Sequence, residues 1–252
     1  MKIIVTKDYD ELSSVTANIV VKLIKEKPDL VFCLPAGSSP MGMYERLVTM
    51  YQNNQVDFSQ MITFNMDEYV GLTADDKNCY AYFMQKHFLQ YVNVNPDNVH
   101  HPDAMSDDLD KECARYSNSI SEKGGLDLAI TGIGDNGHIA FNEPNDFLLP
   151  QTHYIELDQE TILANSRFFA GDITKVPKQA ISIGMAEIMK CRNFLLVASG
   201  LHKAPLLKRL FENDHIDTWY PASFLYLHPN VTLILDQDAT SQITKEILEK
   251  YE

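Results

Sequence analysis

The sequence predicts an α/β fold: a doubly wound, mainly parallel sheet with helices on both faces, a Rossmann-like three-layer sandwich. Three observations predict it. Short β-rich runs are apolar throughout, as strands covered on both faces must be. Helical spacing of apolar residues recurs between those runs, the alternation that generates a parallel sheet. No Gly- or Ser-rich linker and no internal repeat divides the 252 residues, so residues 1–252 read as a single domain.

The expected strands are Lys2–Val5, Leu30–Leu34, Met61–Phe64, Leu126–Thr131, Phe194–Ala198 and Val231–Leu235. After the first, Leu12, Val15, Ile19, Val20, Leu23 and Ile24 follow a helical period, and Pro28 punctuates its end. Helices are also expected over Met41–Tyr51, Tyr80–Tyr91, Leu109–Ser121, Lys203–Phe211 and Thr240–Tyr251.

The chain carries 21 Lys plus Arg against 35 Asp plus Glu, a formal charge of −14. So acidic a surface repels nucleic-acid phosphates and anionic lipid, so neither a nucleic acid nor a membrane is an expected partner. Any phosphorylated ligand would need a local positive site made of basic side chains and oriented N–H groups. The four cysteines, Cys33, Cys79, Cys113 and Cys191, are far apart and show no metal-ligand spacing, which predicts reduced thiols. The apolar run at the start is too short for a signal peptide, and none approaches the ~18 residues of a membrane span. The expected setting is the cytoplasm.

In doubly wound sheets, ligands bind beyond the carboxyl ends of the strands. Three polar clusters follow strands directly. In Pro35-Ala36-Gly37-Ser38-Ser39-Pro40, Ser39 is the expected N-cap of the next helix and Pro40 its first residue. With Gly37 allowing close approach, this loop reads either as an anion cradle or as an ordinary strand-to-helix turn. It is neither a Walker A loop nor a dinucleotide fingerprint, so a simple phosphate monoester is the better ligand. Asn65-Met66-Asp67-Glu68-Tyr69 offers a general base if burial lifts one carboxyl toward neutrality, or a cap or loop acid if it does not.

The third cluster is Gly132-Ile133-Gly134-Asp135-Asn136-Gly137-His138-Ile139-Ala140-Phe141-Asn142-Glu143-Pro144. An imidazole titrates near ~6.5 and moves protons at physiological pH, which makes His138 a candidate. Glu143, five residues on, can fold back and hold one tautomer. A structural histidine is the alternative, and a metal site would need more ligands than the segment contains.

Taken together, these segments resemble the glucosamine-6-phosphate deaminase (isomerase) family over essentially the whole chain. Its phosphate loop is similar to Leu34–Pro40, its base segment to Asn65–Leu72, and its signature to Gly132–Pro144, with Asn142-Glu143-Pro144 the distinguishing end. Ala164-Asn165-Ser166-Arg167-Phe168-Phe169 and Gly200-Leu201-His202-Lys203-Ala204 match as well. The resemblance implies conversion of glucosamine 6-phosphate and water to fructose 6-phosphate and ammonia, with no cofactor and no metal. It implies that Asp67 is the C2 base and His138 the ring-opening group, with Asn136 and Glu143 orienting the imidazole. Gly37, Ser38, Ser39, Arg167 and Lys203 would hold the phosphate. The expected partner is the small amino-sugar phosphate, and the resemblance allows a homo-oligomer.

The chain departs from the family in places. Asn136 stands where some members carry Asp, Ala36 replaces a familiar Thr, and Asp135 occupies a variable position with no role assigned. Allosterically activated members carry serines and basic residues after Asn-Glu-Pro. Asp146–Ile155 has neither Lys nor Arg, so activation by N-acetylglucosamine 6-phosphate is not expected. Three alternatives stay open: the galactosamine 6-phosphate epimer as substrate, a 6-phosphogluconolactonase, and a non-catalytic sugar-phosphate sensor. The residues after the histidine speak against the lactonase, and the lack of a basic helix-turn-helix speaks against the sensor.

Overall fold

The computed structural model describes residues 1–213 and 215–251. Its main sheet has seven strands, all parallel: β1 (Lys2–Thr6), β2 (Val31–Leu34), β3 (Ile62–Asn65), β5 (Val99–His100), β6 (Leu128–Thr131), β9 (Asn193–Ala198) and β10 (Val231–Asp236), in the order β1-β10-β9-β6-β2-β3-β5. From β2 the chain steps outward to β3 and β5. It then returns to β6 on the other side of β2 and continues outward to β9 and β10. The winding direction therefore reverses between β2 and β6, and their carboxyl ends flank the crevice where such folds bind ligands.

Period-2 alternation along each strand builds two cores. Phe32, Leu34, Leu128, Ile130, Leu195, Val197 and Ile234 pack against α1 (Tyr9–Glu26), α2 (Met41–Gln52) and α3 (Tyr80–His87). Val31, Cys33, Ala129, Phe194, Leu196, Leu233 and Leu235 face α4 (Leu109–Glu122), α6 (Met185–Lys190) and α7 (Ala204–Glu212) on the opposite side. Burial on both faces is why these strands read as continuous apolar runs. All six expected strands are present, and the layered α/β prediction holds.

A three-stranded antiparallel sheet, β4 (Asp67–Tyr69), β8 (Gln179–Ser182) and β7 (His153–Glu156), was not expected. After Asn65 the chain leaves the main sheet at Met66, whose N–H still reaches Leu34 O at 3.1 Å. Asp67 then enters the small sheet opposite Ser182. With α5 (Gln159–Asn165), this sheet encloses a third apolar cluster of Tyr69, Phe141, Leu157, Ile162, Phe169, Val176 and Ala180.

Three local expectations are corrected. Ser39 does not cap α2: the cap position is Pro40, with no side-chain cap bond. The phenol of Tyr9 substitutes, accepting the Gly42 N–H at 2.9 Å and lying 3.1 Å from both Ser38 O and Ser39 O, to either of which it can donate. The helix expected to run to Tyr91 ends at His87 and is followed by a 3₁₀ turn at Leu89–Tyr91. The last helix, α8 (Lys245–Tyr251), starts five residues later than expected, because Thr240 is held by its N–H and hydroxyl to Asp236 O in a turn.

Candidate active site

Strands β3, β2, β6 and β9 are successive neighbours, so the loops that leave their carboxyl ends converge. They line one cavity of about 580 Å³. Gly37, Ser38 and Ser39 enter from β2, Asp67 from β3, Asn136 and His138 from β6, and Lys203 from the turn after β9. Arg167 reaches the same cavity from the 3₁₀ turn Ser166–Phe169 that follows α5. The loops after β2 and β6 touch: a Cβ placed on Gly132 would lie 3.5 Å from Ser39 Oγ.

Adjacent carboxylates separate because neighbours on β4 point to opposite faces. Glu68 turns into the protein, where it accepts N–H bonds from Tyr69 (3.0 Å), Tyr80 (2.8 Å) and Ala81 (2.8 Å) and the Cys79 thiol (3.1 Å). Two of those donors are free N–H groups at the start of α3, so Glu68 is the cap. Asp67 lines the cavity instead, and it has no comparable donors among the described residues. Its enclosure, and secondarily the charge of Glu68, push its carboxyl up to about 8.

Among the described residues, the polar partners of the His138 ring are all on one side. Its Nδ1 lies 2.7 Å from Asn136 Oδ1, 3.3 Å from Glu143 Oε2 and 3.4 Å from Thr161 Oγ1. Asn136 Nδ2 donates to Glu143 Oε2 at 2.7 Å, and Asn136 Oδ1 also accepts the His138 backbone N–H at 3.2 Å. This series of hydrogen bonds fixes the tautomer. An acceptor-only carboxylate must face the amide NH₂, so the amide oxygen faces Nδ1, which then carries the proton. Nε2 is left to accept from the cavity. Glu143, 3% exposed, does not line the cavity; it stands behind Asn136 and His138. Burial pushes its carboxyl up, but hydrogen bonds and charge from His138, Thr161 and Asn136 outweigh this and hold it below the usual range. Gly134 makes room for the ring, because a Cβ there would fall 2.2 Å from His138 Nε2.

The cationic side is equally built. Lys203 Nζ donates to Ile133 O at 2.9 Å and to Asp135 Oδ1 at 2.7 Å. Arg167 stacks its guanidinium 4.8 Å from the Phe168 ring centre and has no hydrogen bond or ion pair among the described residues. The loop that carries Lys203 is held from β10: Asp236, buried, accepts the Gly200 N–H at 3.0 Å, the Ala239 N–H at 2.8 Å and the Ser199 hydroxyl.

All nine residues anticipated from the sequence are thus gathered at this cavity, eight on its wall and Glu143 behind it. Sequence reasoning gave no role to Thr131, Asp135, Thr161, Asn165, Ser199 and His202, which lie on the same wall. Ser199 follows β9 directly, so the strand-end rule could have found it. Thr161 carried no such signal, because it reaches His138 from a helix 23 residues away.

This combination of a parallel α/β sheet, a raised carboxyl, an oriented imidazole and a cationic wall defines a pocket for acid–base work on a small anionic molecule. The family model described as glucosamine-6-phosphate isomerases/6-phosphogluconolactonase matches residues 7–234, and the chain belongs to that family. Several curated relatives are named glucosamine-6-phosphate deaminase. A glucosamine-6-phosphate deaminase of Thermoanaerobacter pseudethanolicus (strain ATCC 33223 / 39E) is 45% identical over 252 residues, 100% of this chain and 99% of the relative. One of Clostridium beijerinckii (strain ATCC 51743 / NCIMB 8052) is 44% identical over 243 residues, 96% of this chain and all of the relative. A solved structure of a monomeric glucosamine-6-phosphate deaminase superposes with a TM-score of 0.93 at 39% identity, covering 96% of this chain and 100% of that one. A 6-phosphogluconolactonase of Trypanosoma cruzi, at TM-score 0.77 and 20% identity over 96% of this chain and 97% of that one, shares the fold alone.

Proposed function

We propose that the chain is an enzyme that converts glucosamine 6-phosphate and water to fructose 6-phosphate and ammonia. The observation that carries this is the Asp67 carboxyl, raised to about 8 and opening into the same cavity as His138 and the Lys203–Arg167 wall. His138 Nε2 accepts the anomeric hydroxyl proton and returns it to the ring oxygen, which opens the pyranose. Asp67 then removes the C2 proton to give an enolamine and delivers it to C1. The resulting C2 imine adds water and releases ammonia, leaving the ketone. A carboxyl with a raised pKa suits both halves of that transfer, as a stronger base first and a competent acid afterwards. The substrate ammonium favours ionisation of Asp67 on binding.

Asn136 and Glu143 act through His138 as positioning residues. The phosphate sits on Lys203, Arg167 and the Gly37-Ser38-Ser39 loop. The hydroxyls of Ser38 and Ser39 have no hydrogen-bond partner among the described residues and are available to it. This local positive site is what an acidic chain needs to hold a phosphate. Four free, buried thiols support a reducing compartment such as the cytoplasm, and no helix among the described residues is long and apolar enough to cross a membrane.

The direct test is ammonia release coupled to fructose 6-phosphate formation, with kcat/KM compared between glucosamine 6-phosphate and galactosamine 6-phosphate. The glucosamine substrate is expected to be preferred, and no ammonia from it would overturn the reading. Lys203→Ala is expected to raise KM about tenfold or more for the phosphorylated sugar, since a charge-assisted hydrogen bond is lost. An unchanged KM would place the phosphate elsewhere. Velocity curves are expected to be hyperbolic with or without N-acetylglucosamine 6-phosphate. Asp146–Ile155 carries no Lys or Arg, and its one histidine, His153, is buried in β7, which supports this expectation.

A further inference from the structure

Among the described residues, Asp135 is the one carboxylate on the cavity wall that the mechanism leaves unused. It is bonded to Lys203, the cation assigned to the phosphate. Arg167, the other cation of the wall, and the His202 imidazole also act on it, so it faces the cationic side of the pocket. We infer that Asp135 is an affinity- and selectivity-determining residue of the phosphate subsite, an internal anion that occupies Lys203 until the phosphate of the substrate displaces it. The inference rests on the proposed assignment of the phosphate to Lys203.

Three observations favour a competitor over a positioning residue. Lys203 Nζ is already anchored by Ile133 O at 2.9 Å, so its place does not depend on Asp135. The lysine side chain is 14% exposed, whereas that of Asp135 is 52% exposed. The ammonium is therefore set into the wall, while the carboxylate lies at the solvent edge, where it can turn into water at little cost. Finally, an ionised carboxylate this close to Lys203 would stand beside a dianionic phosphate, and like charges at that range repel. Burial raises the Asp135 carboxyl, but Lys203, Arg167 and His202 outweigh it and hold it below the usual range, so it is charged whenever the pocket is empty at neutral pH.

The consequence is a threshold. A monoanion such as chloride brings no more charge to Lys203 than Asp135 already supplies, whereas a phosphate dianion brings twice as much. The pocket thus trades affinity for selectivity, excluding weak anions that an unmasked Lys203 and Arg167 would collect.

The test is binding of inorganic phosphate by titration calorimetry, together with KM for glucosamine 6-phosphate, in the wild type, Asp135→Asn, Lys203→Ala and the double variant. Asn can still accept a hydrogen bond from Lys203 but carries no charge. Asp135→Asn is expected to tighten phosphate binding and lower KM about three- to tenfold, and the gain should disappear in the Lys203→Ala background. Asp135→Glu, which keeps the charge, should stay near the wild type. Unchanged or weaker phosphate binding in Asp135→Asn, with Lys203→Ala clearly impaired, would overturn the competitor role and leave the phosphate assignment intact. Phosphate binding and KM indifferent to Lys203→Ala would overturn the phosphate assignment itself, and the inference with it.

Discussion

Asp67→Asn is expected to lower kcat by about 10²–10⁴-fold with little change in KM, because the lost group acts on the substrate proton in the transition state and does not anchor the phosphate. The same substitution should make the protein more stable in alkali. The folded chain keeps the Asp67 proton up to about pH 8, whereas the ordinary carboxyl value is 3.8. Between those values the folded state binds more protons than the unfolded one. Stability therefore falls as pH rises through the window, with the full penalty present above about pH 8. Asn has no proton to lose. The cavity admits water, which limits the gain to on the order of 1–3 kcal/mol, or roughly 3–10 °C in Tm at pH 8.5, and no difference is expected near pH 3.5. Melting curves at the two pH values, beside steady-state kinetics, check both halves. Near-normal turnover would remove Asp67 from its role, and equal melting at both pH values would show that its carboxyl is not raised.

Gly137→Ala should cost both stability and activity. Gly137 has φ +89°, a left-handed conformation that a side chain strains, and an added Cβ would lie 2.2 Å from the Tyr220 ring. Tyr220 cannot yield. It is fully buried, its hydroxyl donates to Leu206 O, and Arg209 covers its ring at 4.1 Å. The backbone must move instead, and it carries Asn136 on one side and His138 on the other. We expect a loss of about 2–4 kcal/mol from strain and overpacking together, with kcat falling alongside. Gly124→Ala is the control. At φ +83° it meets nothing within 4 Å, so it should cost only about 1 kcal/mol and leave turnover alone. Equal losses in urea denaturation of the two variants would refute the role assigned to Tyr220.

The two variants also mark how far the sequence could be read. The strand-end rule singled out Asp67 and His138 because polar residues directly after apolar runs are visible without a structure. It could not separate Asp67 from Glu68, which are adjacent acids in the same cluster. That distinction comes from the β4–β8 pairing, which turns one toward the cavity and the other toward the α3 N-terminus. The small sheet itself was illegible, since its three strands have three or four residues each and lack a continuous apolar run. The N-cap expectation at Ser39 failed for a related reason: the donor group at the α2 start is satisfied by Tyr9, 33 residues away.

What the sequence determined alone was the layered sheet, because burial on both faces dictates uninterrupted apolar strands, and the set of polar loops at one edge of it. Strand order was a tertiary decision. Only the reversal between β2 and β6 makes the four loops neighbours and so joins residues as distant as Ser38 and Lys203 in one cavity. Burial and pairing then set the chemistry. The enclosure that raises Asp67, the amide bridge from Glu143 to His138 and the Asp135–Lys203 contact are all through-space interactions between side chains. Their strengths depend on distance and dielectric, neither of which is written in residue order.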